Sequence, residues 1–286
     1  MTNLFKHKCT LFPVFIALTA CIQGNGTSPD NKTENSNRKA AKNIITRDFP
    51  VYADFTQITN IGSFNIDITE GPCSIQATGD SASIANLIYD IDGGCLTLSL
   101  PSEENIDVNS YNLQSNVRVN ISMPQVNILT NCGGGTINYT GTLHTDNLHI
   151  GGIGMGWIHT DSIICNSFKY ESNRQTDARF KHISCKEGVC ITGGTAKTEL
   201  NMEASQSAVF DLSGNCNVDV KSKAPFIDIV SSADGKSTFL LDADSVNVSS
   251  NGTENMTLRG KAHVSKIKKN KESVIENRMH SERRAF

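Results

Sequence analysis

The sequence predicts an all-β protein built as a β-solenoid, a parallel β-helix of about seven coils behind an N-terminal strand region. Three observations predict it. Apolar and polar residues alternate with a period of two from Ala41 to Val264. Paired triplets of the form apolar–x–apolar recur about every 20 residues. Asparagine makes up 28 of 286 residues while aromatic residues are only 6% and charged residues 19%, a balance unlike a coiled coil or helical bundle.

The chain opens on an address. Lys6, His7 and Lys8 precede an apolar run from Leu11 to Ala20. Ten helical residues rise about 15 Å, half of what a bilayer core requires, so this is a signal-peptide core and not a span. Leu18-Thr19-Ala20-Cys21 resembles the lipobox of bacterial lipoproteins. That resemblance implies cleavage after Ala20 and acylation of Cys21, with the membrane as a partner through that lipid. Removing residues 1–20 takes Lys6 and Lys8, so the net charge moves from 26 − 29 = −3 to 24 − 29 = −5. A weakly acidic chain is a poor candidate for nucleic-acid binding. Residues 21–46 are rich in Gly, Asn, Ser, Thr and Lys and read as a flexible tether.

The folded body is expected over residues 47–264. Phe64-Asn65-Ile66-Asp67-Ile68 and Ser74-Ile75-Gln76-Ala77 are the first strands. Ile88 to Ile91, the Asp92-Gly93 turn and Leu96 to Leu100 read as a hairpin, with Gly94-Cys95 lengthening its loop. Asn105 to Asn116 is a polar loop, after which Val117 to Ile121 resumes the strands. The regular part then begins. Val126-Asn127-Ile128, Leu148-His149-Ile150, Phe168-Lys169-Tyr170, Val189-Cys190-Ile191, Phe210-Asp211-Leu212, Ile227-Asp228-Ile229 and Val246-Asn247-Val248 recur at intervals of 22, 20, 21, 21, 17 and 19 residues. Small polar turns follow most of them, and then a second triplet such as Ile137-Asn138-Tyr139 or Met155-Gly156-Trp157. One coil cannot bury its own apolar edges, but stacked coils can. Asparagines at outward positions and corners would bond from coil to coil. A sandwich of hairpins explains the strands but not the steady order of triplet, turn, triplet.

Phe55-Thr56-Gln57-Ile58, the stretch Phe64 to Pro72, Ser74 to Asp80, and Asp92-Gly93-Gly94-Cys95-Leu96-Thr97-Leu98 are together similar to the head GIN domain family of putative autotransporter adhesins. The resemblance implies a right-handed parallel β-helix on an exported, often lipid-anchored bacterial protein, and supplies no catalytic residues. The coil from Phe168 to Lys186 departs from the pattern, carrying Glu171 to Asp177 in place of a Ser-Gly turn, so its turn should protrude. Residues 265–286 hold Lys266, Lys268, Lys269, Lys271, Arg278, Arg283 and Arg284 and read as a solvated basic tail.

Beyond the signal and the anchor, seven cysteines remain: Cys73, Cys95, Cys132, Cys165, Cys185, Cys190 and Cys216. No Cys-x-x-Cys occurs, which removes the basic unit of zinc ribbons and thioredoxin-like sites. Cys73–Cys95 could join neighbouring strands and Cys185–Cys190 could clip a turn. The alternative is that most are small buried hydrophobes.

Few residues point to chemistry. Gly152-Ile153-Gly154-Met155-Gly156 lacks the spacing of a dinucleotide loop and reads as tight turns that need positive φ. His144, His149 and His159 are close in sequence, but His149 lies between inward Leu148 and Ile150 and should face solvent, so no metal or cofactor is expected. Asp90-x-Asp92-Gly93 lacks the later ligands of a calcium loop and serves as a turn. Asp211 and Asp228 hold the middle of successive triplets and could form the carboxylate pair of a polysaccharide hydrolase or lyase. Trp157 and Tyr139 could form a platform for stacking sugars, or lie in the core.

The expected function is a lipid-anchored envelope protein with a non-catalytic, adhesin-like binding surface. Its ligand would be a glycan or an envelope protein, and a carbohydrate-active enzyme is the alternative. Ile22, where an Asp would signal inner-membrane retention, points to the outer membrane; which way the domain faces is open.

Overall fold

The structure is a computed structural model that describes residues 43–100 and 116–280. Cys21, the signal and most of the tether lie outside the described residues, as does nearly all of the 105–116 loop.

The strands are β1 (Ile44–Phe49), β2 (Gln57–Asn60), β3 (Asn65–Glu70), β4 (Ser74–Asp80), β5 (Ile88–Asp92), β6 (Cys95–Ser99), β7 (Arg118–Met123), β8 (Ile128–Asn131) and β9 (Thr136–His144). They continue as β10 (Asn147–Gly152), β11 (Trp157–Ile164), β12 (Ser167–Ser172), β13 (Asp177–Thr192), β14 (Lys197–Gly214), β15 (Asn217–Ala233), β16 (Lys236–Ser250), β17 (Asn255–Lys269) and β18 (Val274–His280). They wind into a β-solenoid of about eight turns. From β8 onward every ladder is parallel and joins one coil to the next. His149 pairs with Lys169, Val209 with Asp228 and Asn247 with Lys266, steps of 20, 19 and 19 residues. The spatial repeat is therefore steadier than the triplet intervals, because some triplets do not occupy equivalent positions in successive coils.

Val189-Cys190-Ile191 is the clearest case. Cys190 is the inward residue, aligned with Tyr170 and Phe210, and Val189 and Ile191 face outward. When the residues on both faces are apolar, alternation gives the period but not the side, and a one-residue slip exchanges the faces. Met155-Gly156-Trp157 is flipped in the same way: Met155 and Trp157 are exposed and Ile158 is buried.

The early coils are not stacked in chain order. β2 lies between β6 and β8, and β3 between β7 and β9, all in parallel. β4 then adds antiparallel to β7, and β1 antiparallel to β4. Strand β1 begins at Ile44, so the fold reaches three residues into the expected tether. The β5–β6 hairpin forms as expected, turning on Gly93 and Gly94 with φ of 54° and 77°. A short helix, α1 (Ser81–Ala85), was not legible from alternation. Its signal is Asp80, whose carboxylate accepts from the Ser83 N–H at 2.9 Å as an N-cap. At the other end, β17 runs to Lys269 and β18 to His280, so most of the expected basic tail belongs to the solenoid.

The interior is a column of Ile, Leu, Val and Phe side chains, with Phe168, Phe180, Phe210 and Phe239 fully buried. Phe168 meets Phe180 edge-on at 5.4 Å, and Phe210 meets Phe239 at 5.4 Å. Each such ring contributes roughly 1.5–3 kcal/mol by leaving water. One inward column at a corner is polar instead. Asn60 donates to Asn131 at 3.0 Å, and Asn131 donates on to the Gly135 carbonyl at 2.9 Å. Farther along, buried Glu254 accepts from Ser237 and Ser250, each at 3.0 Å. Asparagine does bond between coils, but its most buried pair lies inside the corner and not on the surface.

Candidate binding face and its relatives

The outward face formed by β9, β11 and the first halves of β13 and β14 carries the most specific set of side chains. Alternation places Trp157 and His159 on the same side of β11, two residues apart, and the parallel ladder aligns them with the adjoining coils. Trp157 is in register with Thr136 and Asp177, and His159 with Asn138 and Arg179. The indole and imidazole rings stack at 5.6 Å with planes 12° apart. Trp157, the chain's single tryptophan, is 43% exposed. Burial, and then the neighbouring Arg179 and Lys181, hold the His159 pKa below its usual 6.5, so the stack is neutral at pH 7.

Charged groups around the rings are tied to one another. Glu199 accepts from Lys197 Nζ at 2.7 Å and meets Arg179 Nε at 3.4 Å. The Lys197 hydrogen bond holds the Glu199 carboxyl below its ordinary range, so it is an anion and not a proton donor at neutral pH. Asp177 accepts from the Lys197 backbone N–H at 2.7 Å. Asn138 donates to Asp67 at 2.8 Å. The result is an exposed aromatic stack within a rim of amide, carboxylate and guanidinium groups.

Several expected site residues fall elsewhere. Tyr139 is 4% exposed and points into the core, so it does not join Trp157 in a surface platform. Burial alternates from Thr136 to Tyr139, and Tyr139 falls on the inward phase. Asp211 and Asp228 do not stack: Asp228 is in register with Val209 and Asn247, and Asp211 with Ile191 and Val230. The 17-residue interval between their triplets reflects this offset, and the ladder steps by 19. His149 pairs with Glu171 at 3.1 Å on the face of β10 and β12, away from His159. Among the described residues, no group of three His, Cys, Asp or Glu side chains could hold a metal ion.

Neither Cys73–Cys95 nor Cys185–Cys190 is a pair of neighbours across a ladder. Cys73 precedes β4, which pairs with β1 and β7, whereas Cys95 opens β6, which pairs with β2 and β5. The two therefore share no ladder. Cys185 and Cys190 lie on the same strand, β13, on either side of the irregularity at Cys185/Glu187 where it passes from the β11 ladder to the β12 ladder. Four of the seven, Cys165, Cys185, Cys190 and Cys216, are buried as small core residues.

The glycine run from Gly152 to Gly156 has no positive φ; those values occur elsewhere, as at Gly93 and Gly194. Its glycines answer to stacking. A Cβ on Gly154 would overlap the Gly133 carbonyl oxygen, and one on Gly156 the Gly135 carbonyl oxygen. Coils approach so closely at this corner that only hydrogen fits.

Comparison with known proteins follows this geometry. Residues 54–217 match the family described as "Putative auto-transporter adhesin, head GIN domain". The chain belongs to the head GIN domain family. Solved structures share the GIN domain's fold. A putative adhesin from Bacteroides fragilis is 20% identical with a TM-score of 0.59, covering 83% of this chain and 98% of its own. A putative adhesin from Parabacteroides distasonis is 11% identical with a TM-score of 0.72, over 83% and 98%. A putative lipid binding protein, also from Parabacteroides distasonis, is 16% identical with a TM-score of 0.64, over 83% and 97%. At these identities the likeness is one of fold. No curated protein matches the chain.

Proposed function

We propose that this GIN-domain protein is a lipid-anchored, non-catalytic component of the cell envelope whose Trp157 face binds glycan chains in an adhesin-like manner. The anchor is Cys21, at the end of the apolar leader, and the outer membrane is its site because Ile22 follows. The observation that carries the binding reading is the exposure of Trp157. Leaving an indole in water forgoes the 1.5–3 kcal/mol or so that burial of a large apolar side chain returns. The family description, an adhesin, supports a use for such a surface.

The chemistry suits a sugar. An indole face packs against the C–H face of a pyranose, and the flat His159 ring extends that platform. Asn138, Asp177, Arg179 and Glu199 offer donors and acceptors in the plane of the sheet, spaced at the ~4.8 Å step of neighbouring strands. A repeating polymer lying along the solenoid would meet the same step repeatedly.

Trp157→Ala tests this directly. Retention on immobilised polysaccharides, surveyed on a glycan array, is expected to weaken roughly tenfold while the β-sheet circular dichroism is unchanged. Equal retention of both proteins would refute the Trp157 site. For the anchor, Cys21→Ser should move the protein from the membrane fraction to the soluble fraction.

A further inference from the structure

We propose that Cys165 and Cys185 form a disulfide linking two successive coils when the chain folds in an oxidising compartment. The compartment rests on the export reading above; the pairing rests on geometry. Ile164, the last residue of β11, is in register with Ser184 of β13, so the next residues, Cys165 and Cys185, are equivalents one coil apart. The Cys165 N–H donates to the Ser184 carbonyl at 3.0 Å, which fixes that stacking. Equivalent residues on neighbouring strands lie ~4.8 Å apart, within the ~4.4–6.8 Å separation of Cα atoms that a disulfide spans. Both side chains are turned inward, 9% and 6% exposed. Cys165 lies just past the end of its strand, where the backbone can bring the Cβ atoms closer. Other cysteines in the ladder face different residues: Cys190 faces Tyr170 and Phe210, and Cys95 faces Gln57 and Asp92.

The step balances with a protein disulfide carrier as oxidant. Both thiols lose their protons, the S–S bond forms, and two electrons reduce the carrier's disulfide to a dithiol. Timing follows from burial. In the folded chain desolvation pushes Cys165 up to about 12 and Cys185 up to about 11, so thiolate is scarce at neutral pH. The bond therefore forms while the two coils are being laid against each other. Once enclosed, it is shielded from reductants and locks one coil interface of a structure that depends on nearest-neighbour contacts.

The test begins with the reduced, unfolded mature chain, refolded in a mixed oxidised and reduced glutathione buffer. Alkylation and peptide mapping without reduction are expected to show Cys165 linked to Cys185 as the main bridge. The melting temperature should exceed that of the reduced protein by something on the order of 5–10 °C. Cys165→Ser and Cys185→Ser should each abolish that difference, and Cys190→Ser should keep it. If a serine variant fails to fold, mapping of the unaltered chain with and without dithiothreitol decides alone. Free thiols at 165 and 185 after oxidative refolding, or a principal Cys185–Cys190 bridge, would overturn the proposal. The same mapping on envelope fractions separates the two readings: a bridge formed in glutathione but absent in cells supports the pairing and counts against export.

Discussion

Gly154 shows that a glycine can be demanded by a neighbour and not by its own φ. Any side chain there meets the Gly133 carbonyl in the coil below. Gly154→Ala is expected to cost about 3 kcal/mol, the upper range for overpacking, since backbone and not a side chain must yield. Gly93→Ala is the comparison: its φ of 54° is unfavourable, but a Cβ there meets nothing within 4 Å, so about 1 kcal/mol is expected. Urea midpoints of the two variants should rank in that order. His159 makes a second prediction at this scale. Its folded pKa lies below the usual 6.5, so the unfolded chain binds the proton more readily. The contribution to stability is full above pH ~6.5 and is lost as pH falls through the lowered value. His159→Gln should flatten that part of the stability profile; unchanged acid sensitivity between pH ~6.5 and 5 would argue against it.

At the scale of elements, the last two strands carry the least protection. β18 pairs with Asn255–Lys261 of β17, which leaves Ser265–Lys269 with β16 on one side and no ladder on the other among the described residues. An open parallel edge invites another chain. The sequence answers with lysine. Lys266 and Lys268 are exposed, and Lys269 occupies the register position that is filled by Ser250 and Ser231 in the coils before it. There it donates from Nζ to the Ser273 carbonyl at 3.1 Å. What composition marked as a basic tail is an edge strand guarded by charge. Replacing Lys266, Lys268 and Lys269 with Val should produce concentration-dependent association in light scattering, where the unaltered chain stays at its own mass. Strand β13 teaches a different lesson. Its existence was legible from alternation, but its face was not, because Val189 and Ile191 are as apolar as the residue they flank. The same ambiguity left the direction of Trp157 open, and its neighbour Ile158 takes the inward place.

At the scale of the whole molecule, the solenoid turns a repetitive sequence into flat faces on which side chains line up by register. Trp157, Asn138, Arg179 and Glu199 are spread over 62 residues of sequence, yet they fall on three neighbouring coils and the strand beyond. The Asn-rich, aromatic-poor composition, the period of two and the repeat near 20 residues were enough to determine a stacked all-β body, because burial of one face of each strand is written directly into alternation. Tertiary structure decided everything that depends on which coil lies beside which. It placed β2 and β3 between strands that come later in the chain, moved Asp211 out of line with Asp228, sent Tyr139 inward and Trp157 outward, and set Cys165 against Cys185. The reason is physical: alternation fixes the distance between like faces along a strand, but only hydrogen bonding between strands fixes register, and a slip of one residue changes every neighbour.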